Sequence, residues 1–311
     1  VPTPAPPAVL DRLLEEFAAA VRELQAEICA ALEAADGGAR FRVDAWDRPG
    51  GGGGRSAVLE DGAVLEKAGV NVSAVHGELP ARLAGKVQGE GSAFAAAGLS
   101  IVVHPRSPHV PTAHANVRFI RRGDAAWFGG GADLTPHYLF EEDCRHFHAV
   151  LRDVCETHAP GSYARHKARA DAYFFLPHRG EHRGVGGIFY EDLGGALPAE
   201  LSFSVAVARS FLSAYLPIVA RRKDLPASEA ERRWQEIRRG RYVEFNLVHD
   251  RGTVFGLETG GRIESVLMSL PPRVRWVYDH HPVPGSREAA LVEVLRRPRE
   301  WLQGGDRLGA P

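Results

Sequence analysis

Apolar residues along the first third of the chain change period once. Leu10, Leu13, Leu14, Phe17, Val21, Leu24, Ile28 and Leu32 recur at steps of three and four, which predicts a long amphipathic helix ending at Gly37-Gly38. The pattern then shortens. Phe41–Trp46, Val58–Leu65 (broken by a turn at Asp61-Gly62), Val70–Val75, Leu99–Val103 and His114–Arg121 read as strands. Pro49 and the run Gly50–Gly54 read as a flexible loop. Further on, Glu141–His158, Ser202–Ala220, Ala227–Arg239 and Arg287–Arg297 read as helices, the last with Ser286 as N-cap. Trp127–Gly131 is a glycine-rich segment, and Ala172–Leu176, Gly187–Tyr190 and Arg241–Val248 read as strands, with Thr253–Leu257 continuing the last after a turn. Ile263–Leu270 fits either a strand or a helix. Strand runs joined by short turns pair antiparallel, and the long helices must cover them, so the fold class is α+β.

Two strand runs carry chemistry on one face. In His114–Phe119, period-two alternation puts His114, Asn116 and Arg118 on one side and Ala115, Val117 and Phe119 on the other. Ser100–His104 repeats the arrangement, with Ser100, Val102 and His104 against Ile101 and Val103. A proton-transfer group, an amide and a fixed positive charge over apolar backing suit an anionic substrate.

Composition adds exclusions. The 311 residues are 44% hydrophobic and 25% charged, which is ordinary for a globular protein. A Pro-rich segment, residues 1–8, reads as disordered, and residues 9–311 as one domain. The net charge of −1 gives no overall field for nucleic acid or a membrane surface, and no segment reads as a signal peptide or a stable membrane span. Three unclustered cysteines, Cys29, Cys144 and Cys155, fit reduced thiols in a cytoplasm and leave no thiolate metal or iron–sulfur pattern. The glycine run lacks the Lys-Ser/Thr that a phosphate loop needs.

Among 14 histidines, His104, His114, His148 and His178 sit in or beside apolar elements. One such histidine alone is usually a structural hydrogen-bonder; four together admit a metal site, a proton relay or a substrate-binding cluster. The spacing His178-x-x-x-His182 spans a turn, not a helix, so it is no metal signature. Arg118, Arg179, Arg183, Arg241, Arg251, Arg262 and Arg275 fall at strands and turns, where each is either a solvated charge or a carboxylate fork. Thr259-Gly260-Gly261-Arg262 sets exposed backbone N–H groups beside a cation, a carboxylate nest. Asp192 and Asp250 stand at element ends, where a catalytic carboxylate and a capping one are equally at home.

The stretches SIVVHPRSPHVPTAHANVRF, WFGGGADLTPHY, EEDCRHFH, YFFLPHRGEHRGVGGIFYEDL, RRGRYVEFNLVHDRGTVFGLETGGRIESVLMSLPP and RWVYDHHP closely resemble the oxygen-dependent coproporphyrinogen III oxidases, from about Phe41 to Trp301. The resemblance implies a large, flat antiparallel sheet with helices on both faces and a cytoplasmic homodimer of heme biosynthesis. It implies oxidative decarboxylation of the ring A and B propionates of coproporphyrinogen III to vinyls, giving protoporphyrinogen IX with O2 as oxidant and no organic cofactor. By motif, His114 corresponds to a proton donor. Ser100, Asn116, Val117, Arg118, Gly260, Gly261 and Arg262 correspond to substrate contacts, and Asp192, Asp250 and Arg251 to catalytic or substrate-binding positions. His104, His114, His148 and His178 correspond to ligands of a divalent metal such as Mn2+. The region Arg241–Asp279 corresponds to dimer contacts. His249 departs from the family pattern, standing where an aromatic residue is common. Two other readings compete: a histidine-ligated metal oxygenase acting on another aromatic acid, and a tetrapyrrole carrier without catalysis.

Overall fold

The computed structural model describes residues 6–79, 85, 87–258 and 261–302. Helix α1 (Pro7–Asp36) opens the chain, so Pro7 and Ala8 of the segment read as disordered are helical; residues 1–5 lie outside the described residues. Six strands follow: β1 (Arg42–Asp47), β2 (Gly52–Glu60), β3 (Leu65–Glu78), β4 (Ala93–Pro105), β5 (Thr112–Arg122) and β6 (Ala125–Thr135). Then come α2 (Glu141–His158), α3 (Ser162–Tyr173), β7 (Phe175–Leu176), β8 (Glu181–His182) and β9 (Gly187–Leu193). The chain closes with α4 (Leu197–Arg222), α5 (Glu229–Val248), α6 (Arg251–Glu258), α7 (Ile263–Leu267) and α8 (Arg287–Arg296). Seven strands form one sheet in the order β1-β2-β3-β4-β5-β6-β9, every pair antiparallel, which is the large α+β sheet the sequence implies.

Register makes the two faces unlike. Ala57, Val70, Ile101, Ala115, Ala132 and Ile188 pair across six strands, and all are buried. One residue along, Ser56, Asn71, Ser100, Asn116, Gly131 and Phe189 pair across the same strands on the opposite face. A period of two allows no other outcome once the register is set. Helices α1 and α4 pack on the apolar face, and Phe17 of α1 meets Phe128 edge-on at 5.3 Å. Gln25, the buried polar residue in the middle of that stripe, donates to the Arg55 and Val70 carbonyls at 2.8 Å each and sets the axial position of α1. Asp36 ends α1 by accepting from the backbone of Ala39, Ala63, Val64 and Leu65, tying the helix to the β2–β3 turn.

Several sequence expectations change. The glycine run is no flexible loop. Gly52–Gly54 begin β2, and a Cβ on Gly54 would lie 2.4 Å from the Trp46 indole, so close packing requires glycine there. Arg241–Val248 is the last part of helix α5, not a strand. A capping box of Ser228 and Glu231 starts α5, and no breaker interrupts it, because Gly240 is tolerated where the 273–276 segment crosses closely. Eight alternating residues satisfy both periods, and Trp234, Arg238, Tyr242 and Phe245 show that the helical one prevails. Thr253–Leu257 is likewise helical, as α6, and Ile263–Leu267 forms α7. Ala172 and Tyr173 end α3, leaving a two-residue strand after them. Helix α4 is long and apolar enough to cross a bilayer, an exception to the reading that no segment is. Phe203, Val207, Phe211, Tyr215 and Ile218 bury one side of it against the sheet and neighbouring helices.

Because Phe17 is fully buried and seats α1 on the sheet, Phe17→Ala is expected to cost about 3–5 kcal/mol. Urea unfolding followed by circular dichroism measures it.

Candidate active site

The face opposite α1 and α4 holds the polar row and little side-chain bulk. Gly98, Gly129 and Gly131 lie on it, flanking Ser100, Asn116 and Arg118. The floor is therefore flat, with amide and hydroxyl groups set into it. At one end α7 closes the face: a Cβ on Gly69 would lie 3.1 Å from the Met268 side chain, and Ser265 bonds Ser56 at 2.8 Å. At another end α5 closes it, with Tyr242 edge-on to His104 at 5.1 Å. At the β9 edge, Phe189 stacks on Tyr173 at 4.1 Å and 7°.

His114 stands on this face with its side chain 18% exposed. Its Nδ1–H donates to Asp133 Oδ1 at 2.9 Å, which leaves Nε2 as the outward end of the ring. Asp133 is buried and also accepts from Arg183 Nη2 at 2.8 Å on each oxygen. Arg183 is itself buried. It donates through Nη1 to Asn246 Oδ1 at 2.7 Å and lies 4.4–4.6 Å from the ring centres of Phe174, Tyr242 and Phe245. Burial alone would raise the pKa of Asp133; the charge of Arg183 and the bond from His114 reverse this and hold it below the ordinary carboxylate range. An ionised Asp133 can only accept, so it selects the Nδ1–H tautomer of a neutral His114.

Arg118 donates to Asn116 Oδ1 at 2.9 Å and to Glu191 Oε1 at 2.6 Å. Arg251 reaches the other oxygen of Glu191 at 2.8 Å, and its guanidinium lies over Tyr173 at 5.1 Å. Arg262 pairs with Asp44 at the opposite edge of the sheet, and its Nη1 is buried without a partner among the described residues. Three arginines thus border one flat polar face.

The other expected site residues divide. Ser100 and Asn116 face the cleft on neighbouring strands. Val117 does not: its side chain is in the core on the α1 side, and only its backbone runs beside the site. Gly261 is described, and its N–H goes to the Gly256 carbonyl at 2.8 Å; Gly260 lies outside the described residues. Asp192 is exposed, with a φ of 61°, while its neighbour Glu191 takes the cleft side. Asp250 caps α6, its Oδ1 accepting from Gly252 and Thr253 at 2.7 and 3.2 Å.

The four histidines expected to share a metal do not form a ligand cluster, and the ring nitrogens of three of them are in use. His104 is buried; its Nε2–H donates to the Ser269 carbonyl at 2.8 Å, and Nδ1 faces Thr112 Oγ1 at 3.3 Å. His148, on α2, donates to the Val185 carbonyl at 3.1 Å and accepts from the Tyr163 hydroxyl at 2.8 Å. Burial pushes both pKa values down, with Arg239 adding to the effect at His104, and that of His148 falls to about 3. His178 is outside the cleft cluster, bonded to Glu244 at 2.8 Å and to His249 at 3.2 Å. A ligand must offer a free lone pair, and only His114 keeps one. Among the described residues no group of three His, Cys, Asp or Glu side chains is placed to hold a metal ion. The donor set does not fit the group implied by resemblance.

Asp133, Asn246 and Glu191 were missed as site residues, whereas Arg183 was among the candidate carboxylate forks and takes that part on Asp133. One signal for Asp133 was available. The two-residue turn Gly123-Asp124 joins Arg122 to Ala125, and counting back along the hairpin puts Asp133 opposite His114, as observed.

The sequence model of the Coproporphyrinogen III oxidase family matches residues 16–301. The chain is 51% identical over 303 residues to the oxygen-dependent coproporphyrinogen-III oxidase, chloroplastic, of Glycine max, covering 92% of this chain and 79% of that protein.

Asp133→Asn leaves the Arg183 charge buried without its counter-ion, a loss of about 3–5 kcal/mol. Since the folded pKa of Asp133 is depressed, the pair's contribution is complete above the ordinary aspartate range and is withdrawn as pH falls through the lowered value. Urea midpoints of wild type and variant should therefore differ at neutral pH and converge in acid.

Proposed function

The chain belongs to the coproporphyrinogen III oxidase family, and we propose that it converts the ring A and B propionates of coproporphyrinogen III to vinyls with O2 as oxidant, in heme biosynthesis. The observation that supports this most is the pairing of a flat glycine-and-amide floor with one free imidazole nitrogen and three bordering arginines. A reduced tetrapyrrole is broad, and its four propionates call for cations at its rim.

For each propionate the balance is R–CH2–CH2–COO− + O2 + H+ → R–CH=CH2 + CO2 + H2O2. The Cβ–H and Cα–COO− bonds break, the C=C bond forms, and the two electrons pass to O2. Those electrons come from the propionate, with the electron-rich pyrrole relaying them, so the chain's own part is orientation and proton control. Arg118, Arg251 and Arg262 hold carboxylates at the border, while Ser100 and Asn116 face the ring system. His114 moves a proton through Nε2, and Asp133 and Arg183 fix its tautomer. Asp133 is a buried carboxylate that acts through His114, whereas Asp192 is exposed and the Asp250 carboxylate caps α6. Since the four histidines make no ligand set, no step is routed through Mn2+ or another divalent metal, and no organic cofactor is invoked.

The same reading extends to assembly and location. Leu247, Val248, Trp276 and Tyr278 are large, apolar or aromatic, and exposed, with Tyr278 at 99%. They fall in or beside the Arg241–Asp279 region, and a homodimer would cover them. A cytoplasmic location is consistent with three free cysteines, although the Glycine max relative is named as chloroplastic.

His114→Gln should keep the fold and lower kcat by about 10²–10⁴-fold, the usual worth of a positioned proton-transfer group. The assay is aerobic incubation with freshly reduced coproporphyrinogen III, chromatography of the oxidised products and oxygen uptake. Wild-type enzyme yielding no protoporphyrin would overturn the reading, and normal turnover by the variant would remove His114 from it. Tight porphyrin binding without oxygen uptake would favour the carrier.

A further inference from the structure

Glu191 stands at an irregularity in the sheet. Phe128 pairs with Leu193 and Gly130 with Tyr190, so Glu191 and Asp192 together oppose Gly129. Such a bulge re-aims a side chain. Here Asp192 takes the left-handed φ, and Glu191 reaches back over the cleft face. Its two oxygens divide between two cations, Arg118 Nη2 at 2.6 Å and Arg251 Nη2 at 2.8 Å. Both guanidiniums stay open to solvent, at 29% and 64% exposure, while Glu191 is 24% exposed. The Arg251 backbone is anchored, since its N–H donates to the Tyr173 hydroxyl at 3.2 Å, so only the side chain has freedom to change partner. One carboxylate shared by two arginines at the rim of the site is the contact a substrate propionate would make there.

We propose that Glu191 is a specificity-determining residue that stands in for a substrate propionate. It holds Arg118 and Arg251 when no carboxylate is bound, yields them to the substrate, and recovers them when the carboxyl leaves as CO2. The inference rests on the assignment of these arginines to substrate carboxylates. In the free protein and in the vinyl product complex the arginines are paired internally; in the substrate complex they are paired externally. Glu191 therefore weakens ground-state binding of the tetracarboxylate without holding the product. It also spares the reacting complex from ending with two unpaired cations. Relief of ground-state binding of this kind raises kcat at the cost of a higher KM.

Glu191→Gln removes the competing charge. Binding of coproporphyrin, a tetracarboxylate, and protoporphyrin, a dicarboxylate, is read by quenching of protein fluorescence. The expected result is coproporphyrin binding about tenfold tighter, one charge-assisted contact no longer being surrendered, with protoporphyrin binding unchanged. KM and kcat for coproporphyrinogen III should fall together. Glu191→Asp, which keeps the charge, should bind coproporphyrin like wild type. Unchanged or weaker coproporphyrin binding in folded Glu191→Gln would overturn the proposal, as would equal tightening toward both porphyrins. Glu191→Ala serves the same test if the glutamine variant does not fold. Failure of wild type to turn over coproporphyrinogen III would count against the functional reading alone, because the two binding arms do not depend on turnover.

Discussion

The buried contact between Arg183 and Asp133 is the constraint on which the site depends. Two charges with side chains 1% and 2% exposed are costly unless each is fully engaged. Asp133 meets that condition by accepting from Arg183 and His114; Arg183 meets most of it through Asp133, Asn246 and three aromatic faces. Four separate elements must come together for this: β5 with His114, β6 with Asp133, the β8–β9 connection with Arg183, and α5 with Asn246. The pair therefore does more than orient one imidazole. It locks α5 onto the open face of the sheet, and α5 in turn closes one end of the cleft through Tyr242.

The sheet supplies the complementary constraint. One face is saturated with aliphatic side chains under α1 and α4; the other is kept low by Gly98, Gly129 and Gly131. His114 and Arg118, four residues apart on β5, are separated by about 13 Å along the strand. A proton-transfer group and a carboxylate clamp are thus held at fixed separation by a rigid element, not by loops. The cations on the rim are less rigid. Arg118, Arg251 and Arg262 are each paired with a carboxylate of the protein, and those partners, Glu191 and Asp44, temper the positive field the substrate meets.

Much of this was legible in the chain, and the reasons for the rest are physical. Alternation in His114–Phe119 gave the facing of every residue in that strand, which already places Val117 in the core despite its position inside the Asn116–Arg118 motif. The α1 stripe was equally clear because eight apolar residues repeat at helical spacing. Arg241–Val248 misled because a window of eight residues supports two periods, and tertiary contacts of Tyr242 and Asn246 decide between them. The glycine run Gly50–Gly54 misled because flexibility and close approach leave the same composition; only the Trp46 indole distinguishes them. The histidines misled for a third reason. Residue type says that a nitrogen exists, but whether its lone pair is free depends on Thr112, Tyr163 and His249, none of which is adjacent in sequence.

The central claim is that the buried pair holds His114 with Nδ1 protonated toward Asp133 and Nε2 open to the cleft. Nitrogen-15 NMR of histidine-labelled protein at neutral pH, with His114 assigned by its loss in His114→Gln, reads both ring nitrogens directly. The buried pair predicts that the neutral imidazole holds a single tautomer, with a protonated Nδ1 and an unprotonated Nε2 whose shift responds to an added porphyrin carboxylate. A His114 ring in rapid exchange between tautomers, or one protonated at Nε2 alone, would contradict it.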